Sequence, residues 1–475
     1  MAHRQVKVPT APTRSNSEAL ILMLFLPRAF ALAALFGVMP VAAAHDEHEP
    51  KAVPDAEAHR PSALPDRIIL TFPGDPSRSL AVTWRTDDAV SKGLAQIAPS
   101  DAGPRFAERA ATLTAKTFDL DTDLGHSHRH SVVFGDLAPS TQYAYRVGDG
   151  VNWSEWFHVQ TASDKPEPFA FIYFGDAQND IKSLWSRVIR GAYSDAPKAR
   201  FIVHAGDLVN RANRDAAWGE WFAAGGWVNG MVPSVPAPGN HEYERPAGAA
   251  ADSPPLLSNH WRPQFTLPTN GPAGLEESAY YFDYQGARIV VLNSNEKQED
   301  QVAWLERILA DNPNKWTIAT FHHPIYSSAK KRDNPKLRAL WQPVFDKHRV
   351  DLVLQGHDHT YARSGLRAYE NVPEGVGSRE DGGTVYVVSV SGPKMYELQR
   401  DDWMKRAAED TQLYQIISVN GDRLRYEALT AVGDLYDAFD LRKRPSQPNE
   451  LIDRTPKDLP ERLRPRPAEK VGAGD

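Results

Sequence analysis

RFIVHAGDLVNR, residues 200–211, runs through apolar β-formers, breaks at Gly206, stops on a carboxylate at Asp207 and places an amide, Asn210, three residues later. A short apolar run bounded by a turn signal reads as a buried strand, here one with a charged side chain at its tip. The pattern repeats. FAFIYFGD (169–176), NKWTIATFHH (314–323) and VDLVLQGHDH (350–359) are strand-like and end on Asp176, on His322, and on His357 with His359; APGNHE (237–242) adds Asn240 and His241. Beside them, DIKSLWSRVIRGAYSDA (180–196), QEDQVAWLERILADN (298–312) and PKLRALWQPVFDKH (335–348) carry apolar stripes of helical period. Strands alternating with helices predict an α/β layered core over residues 168–441, completed by the strand-like GTVYVVSVSG (383–392) and YQIISVNGDRLRYEALT (414–430).

Upstream the rhythm is different. RIILTF, LAVTWRT, HSVVFGDL, TQYAYRVGDG and EWFHVQT alternate with period two between turns, predicting an immunoglobulin/fibronectin-like β-sandwich over residues 62–163. Residues 45–61 read as a charged, proline-bearing linker, and 442–475, rich in Pro, Arg, Lys and Glu, as a poorly ordered tail. In residues 1–44, Arg28 precedes an apolar run that ends on Ala42, Ala43 and Ala44 before an abruptly polar segment, the pattern of a secretory signal peptide. Export to the periplasm or medium is expected, with Met1 or Met23 as the start. The apolar run is short for a membrane span.

Composition narrows the chemistry. A chain of 475 residues with 41% apolar content can bury large cores, and a net charge of -7 argues against nucleic acid or anionic lipid as a stable partner. There is no cysteine, so thiolate metal sites and thiol nucleophiles are excluded. Ligands of open α/β sheets gather at the carboxyl ends of strands, so five strand tips point to one place. Their carboxylates, imidazoles and amide suit Zn, Fe or Mn, and the candidates are too many for one tetrahedral ion. Two metals are implied, and Asp207, central in the series, is the expected bridge. His126, His128 and His130 in HSHRH read as structural or solvated, and His45 and His48 as part of a flexible end.

The series GDAQ, GDLVN, GNHE, FHHP and GHDH resembles the calcineurin-like metallophosphoesterase superfamily, and the preceding β-domain resembles that of the purple acid phosphatase branch. The resemblance covers about residues 62–441 and implies a four-layer αββα sandwich around a dinuclear centre. It also implies hydrolysis of phosphate monoesters by attack of metal-bound hydroxide, with phosphodiesters as the alternative substrate. Carried over by position, Asp176, Asp207 and His359 hold one metal, and Asp207, Asn240, His322 and His357 the other. His241 contacts the phosphate or protonates the leaving oxygen; from adjacency alone, not from the resemblance, its neighbour Glu242 is expected to orient that imidazole.

Two departures from the pattern stand out. Where the family often has a second histidine about ten residues beyond His322, this chain has Lys330, Lys331 and Arg332, either phosphate contacts or a solvated loop. Where purple members have a tyrosine on ferric iron, three residues past the bridge, it has Asn210; where other members have a histidine, two past the first Asp, it has Gln178. Asn210 and Gln178 are thus weak ligands or neighbours of ligands. Trp218, Trp221 and Trp227 either wall the pocket or pack in the core. The competing reading is a non-catalytic binding protein that uses its β-domain, but a decayed site should lose charged ligands that are costly to hold together without metal.

Overall fold

Side-chain alternation sets the layers. In a seven-stranded sheet, Ile289, Val291, Ile318, Leu352, Leu354 and Val385 turn to one face and join the main core. Val290, Leu292, Ala319, Phe321 and Val353 turn to the other face and pack beneath the helices Asp300–Ala310 and Pro335–His348, as a period of two requires. The central strands Ala287–Val291, Trp316–Phe321, Leu352–Gln355 and Thr384–Val388 are parallel neighbours. Both their faces are covered, which is why each reads as an unbroken apolar run.

A second sheet packs against the first. Its centre, Phe169–Phe174, Ile202–Ala205 and Ser234–Ala237, is parallel, and the helices Ser186–Asp195 and Asp215–Gly225 pack together beside it. The order helix, sheet, sheet, helix is the αββα sandwich expected. In this computed structural model the described residues are 51–465, apart from Ala247, Ala251, 369–382 and Ser446. The expected leader with Met23, the His45 and His48 pair, and residues 466–475 lie outside them.

The β-domain departs from a free-standing module. Asp66–Thr71 pairs in parallel with Ser234–Ala237, with Thr71 opposite Ser234. Leu80–Thr86, Gly125–Phe134 and Lys116–Thr122 follow, so half of the sandwich continues the second sheet, which reaches eleven strands. The other half is the sheet Ala111–Thr114, Leu94–Pro99, Gln142–Gly148, Phe157–Gln160. Joining the two covers an edge of unpaired backbone groups.

Two expectations are corrected. The tail from Arg442 is ordered through Arg464: the strand Leu435–Arg444 runs across the expected boundary, Gln447–Asp453 pairs with it, and Arg462 and Arg464 hydrogen-bond to Thr411 and Asp410. The charge that reads as solvated is spent on partners such as Asp440, 2.9 Å from Arg454. The linker is docked in its second half, where Asp55–Ala58 is helical and the His59 carbonyl accepts from Arg85 at 3.0 Å.

Candidate metal centre

Three of the five strand tips reverse sharply. Asp176, Asp207, His357 and His359 have φ of 33°, 50°, 76° and 44°, a left-handed region that non-glycine residues enter rarely and at a cost. Such backbone strain gathers at functional sites. Two glycines let the tips converge: a Cβ on Gly239 would stand 2.2 Å from Asp207 Oδ1, and one on Gly356 would stand 2.3 Å from Asp176 Oδ2.

The convergence brings the predicted residues together. Asp207, His322 and His357 each turn a ligand atom into one space, within 4.8 Å of one another, and Asp176, Asp207 and His359 do the same beside it. Asp207 belongs to both groups. His322 Nδ1 faces the Ala205 carbonyl at 3.0 Å, and its Nε2 meets Asp207 Oδ2 at 3.2 Å, Asn240 Oδ1 at 3.1 Å and His357 Nδ1 at 3.0 Å. His359 Nδ1 faces the Lys394 carbonyl at 2.9 Å, and its Nε2 lies 3.5 Å from Asp176 Oδ1. A backbone acceptor on the far ring nitrogen is the arrangement that orients metal-binding imidazoles.

The donor set fits two cations. Asp176 Oδ1 and Gln178 Oε1 are buried with no hydrogen-bond partner among the described residues, and imidazole nitrogens and carboxylate oxygens crowd one another with too few protons between them. Burial works against a charge on His322, but the Asp207 carboxylate outweighs it, with help from Asp176, and pushes the imidazole up to about 9. Burial likewise opposes charge on Asp207, yet His322 and then His241 hold it well below the usual carboxylate range. Burial first, and then the neighbouring Asp207, drives Asp176 well up. Burial lowers His359 to about 4, and burial with the His322 charge lowers His357 strongly. Neutral imidazole is the form that binds a metal.

Other expected roles shift. Glu242 does not orient His241. It lies fully buried and accepts from the backbone N–H groups of Asp207, Leu208 and Gly239 at 2.9, 2.9 and 2.7 Å, pinning the loop that carries Asp207. His241 is oriented instead by the Asn210 carbonyl, 2.6 Å from its Nδ1, while its Nε2 is 3.9 Å from Asp207 Oδ2. Gln178 Nε2 donates to Asp207 Oδ2 at 3.0 Å and lies 2.9 Å from His359 Nε2. Lys330 turns away to Glu397 at 2.8 Å, and Lys331 is exposed. Arg332 borders the centre, 3.3 Å from the His357 carbonyl and stacked over Tyr396. Trp218 and Trp221 pack in the core with Phe265, and Trp227 lies exposed on Tyr193, so none walls this centre.

Sequence reading missed four neighbours. His323 packs on His357 with ring centroids 4.3 Å apart. Asp358 takes hydrogen bonds from Ser327 and the N–H of Ser328, both at 2.6 Å, and so ties the 327–332 loop to the centre. Tyr396 lies on the His359 ring, 4.5 Å between centroids, and Lys394 supplies the carbonyl beneath it. Asp358 and His323 stand inside quoted motifs and could have been found there; Lys394 acts through its backbone and leaves no side-chain signal.

The family model described as the purple acid phosphatase N-terminal domain matches residues 65–161, and that of the calcineurin-like phosphoesterases matches residues 132–361, which include every candidate ligand. Human acid phosphatase type 7 is 28% identical over 344 residues, 64% of this chain and 71% of that protein. An uncharacterized protein of Mycobacterium tuberculosis is 26% identical over 338 residues, 62% of this chain; the chain spans 61% of that relative's length. Among solved structures, a purple acid phosphatase from yellow lupin (Lupinus luteus) seeds superimposes with a TM-score of 0.66 at 19% identity over 80% of this chain and 74% of that one, a likeness of fold. Both family models match in order, with the ligand series inside the second, so the chain carries a purple acid phosphatase-type N-terminal domain followed by a calcineurin-like phosphoesterase domain.

Proposed function

We propose that this chain is an exported, metal-dependent phosphoric ester hydrolase that cleaves small phosphate monoesters. The observation that carries the reading is the pair of three-residue ligand groups that share Asp207. Asp176, Asp207 and His359 would hold one ion, and Asp207, Asn240, His322 and His357 the other. Two ions there would supply Lewis acidity and lower the pKa of a bound water towards ~7.

The chain's own residues do the rest. Asp207 provides the shared counter-charge, and Asn240 adds a neutral donor that leaves the centre positive enough for a phosphate. His241 has its Nδ1 engaged by the Asn210 carbonyl, so only the doubly protonated ring carries a proton on Nε2, the atom that would give it to the leaving oxygen. Arg332, over Tyr396, holds a phosphate oxygen by charge. The relatives named acid phosphatases and the leader at residues 1–44 support the reading.

The test is metal analysis with a panel of chromogenic monoesters and diesters. Two equivalents of metal, monoester turnover and its loss on chelation are expected. Asp207→Ala should lose metal and activity together, because it removes the charge common to both groups. Protein that stays metal-free and inert after reconstitution overturns the proposal, and diester preference overturns the monoester assignment. The export part stands if the mature chain is recovered outside the cytoplasm without residues 1–44.

A further inference from the structure

The strands Lys116–Thr122 and Gly125–Phe134 form an antiparallel ribbon at one edge of the eleven-stranded sheet, with Asp119 opposite His128 and Asp121 opposite His126. Residues two apart on a strand share a face, so two carboxylates and two imidazoles stand in a square on one side of the ribbon. Asp119 Oδ1 lies 3.1 Å from His128 Nε2 and 3.9 Å from His126 Nε2. Asp119, His126 and His128 offer ligand atoms that lie within 4.8 Å of one another. Ligands ~2.0–2.1 Å from a tetrahedral zinc ion stand about 3.4 Å apart, between the two measured separations.

The far ring nitrogens are engaged as well. His128 Nδ1 faces the Val90 carbonyl at 2.8 Å, and His126 Nδ1 faces Asp121 Oδ1 at 2.8 Å. An Nδ1–H given to a carbonyl or a carboxylate leaves Nε2 as a bare lone pair, the state a metal-ligating histidine takes, and its acceptors are the usual supports of such ligands. A bare lone pair 3.1 Å from a carboxylate oxygen repels it unless a cation or a proton lies between. His130, the next imidazole along, is different: its nitrogens meet the Thr86 and Thr117 hydroxyls, and the ring is buried. Asp119 is largely exposed and His128 mostly buried, so the square has a floor and an opening to solvent.

The geometry points to a separate divalent-metal site on the β-domain, formed by Asp119 Oδ1, His126 Nε2 and His128 Nε2, with Asp121 supporting His126 and one coordination position open to solvent. Two imidazoles and one carboxylate suit a borderline ion such as Zn2+, Cu2+ or Ni2+ rather than Mg2+ or Ca2+.

The test compares full-length proteins loaded with excess Zn2+ and desalted. Wild type should retain one more equivalent than His126→Ala/His128→Ala, whatever the occupancy elsewhere. Asp119→Asn and Asp121→Asn keep the shape of the ribbon and guard against loss of folding in the double variant. In competition with a chromophoric chelator, Asp121→Asn should weaken this equivalent by roughly 10–100-fold, the usual effect of losing a ligand's support, and Asp119→Asn by more. Equal metal content and equal competition in all four proteins overturn the proposal and leave the square as protonated imidazoles paired with carboxylates.

Discussion

At the scale of single residues, the role proposed for His241 separates holding a metal from moving a proton. Its Nδ1 is tied to Asn210, and its Nε2 stands 3.9 Å from Asp207, farther than the atoms that crowd His322. His241→Ala should therefore keep both metals and slow turnover by roughly 100-fold or more, the size of a general acid–base contribution. Metal loss in that variant, measured by elemental analysis, would make His241 a ligand. Colour tests the neighbouring position. With Asn210 where purple relatives have tyrosine, no phenolate is supplied from the bridge loop, and Tyr280, Tyr281 and Tyr361 are engaged elsewhere. Tyr280 and Tyr361 donate to Pro236 and Asp437, and Tyr281 lies under Arg288. The iron-loaded protein should be colourless or pale yellow. Should an intense visible band survive Asn210→Ala and vanish in Tyr396→Phe, the tyrosine on the His359 ring has supplied the phenolate instead.

At the scale of elements, the strand Ile202–Ala205 carries an imidazole that no chemistry explains. His204 is buried against Phe174, Trp185 and Trp221, and neither ring nitrogen has a partner among the described residues. Burial pushes it down to about 3. An unfolded histidine titrates near 6.5, so stability is fully present above that pH. It falls as the pH drops towards 3, where the unfolded chain takes a proton the fold refuses. Between pH 6.5 and 4.5 the loss is about 2–3 kcal/mol. His204→Leu should lose that much less stability than wild type between pH 7.5 and 4.5 in urea unfolding, and parallel pH profiles would contradict it. The same strand shows what is legible in sequence. Parallel strands buried on both faces read as unbroken apolar runs, and their tips carry the motif residues. The helix Asp215–Gly225 is buried nearly all round, so it shows no stripe and went unread. Tyr361–Arg367 and Leu435–Arg444 hide the buried pair Arg363–Asp437, 2.8 Å apart, and look like surface.

At the scale of the whole molecule, a buried charge network fastens the β-domain to the phosphoesterase layers. Asp215, at the start of the helix Asp215–Gly225, accepts from Arg67 at 2.7 Å through both oxygens, and from Arg85 and Arg129 at 3.3 and 3.4 Å. Its own N–H donates to Asp123 at 2.8 Å. All three arginines belong to strands of the β-domain. Burial opposes the charge on Asp215, but His260 and the guanidinium of Arg67 hold the carboxyl far below its usual range. Three buried guanidiniums around one carboxylate are tolerable only while that carboxylate is present, since a buried charge stripped of its partner costs about 3–5 kcal/mol. Asp215→Asn keeps the shape and removes the charge, so it should lower the stability of the chain by about that amount. The eleven-stranded sheet crosses the boundary between the two parts, so the loss should appear in one cooperative transition reported alike by far-ultraviolet circular dichroism and tryptophan fluorescence. Two resolved transitions, with the β-domain melting apart from the rest, would show that the shared sheet does not couple them. Unchanged stability would show that Asp66, 2.6 Å from Arg85, is counter-charge enough.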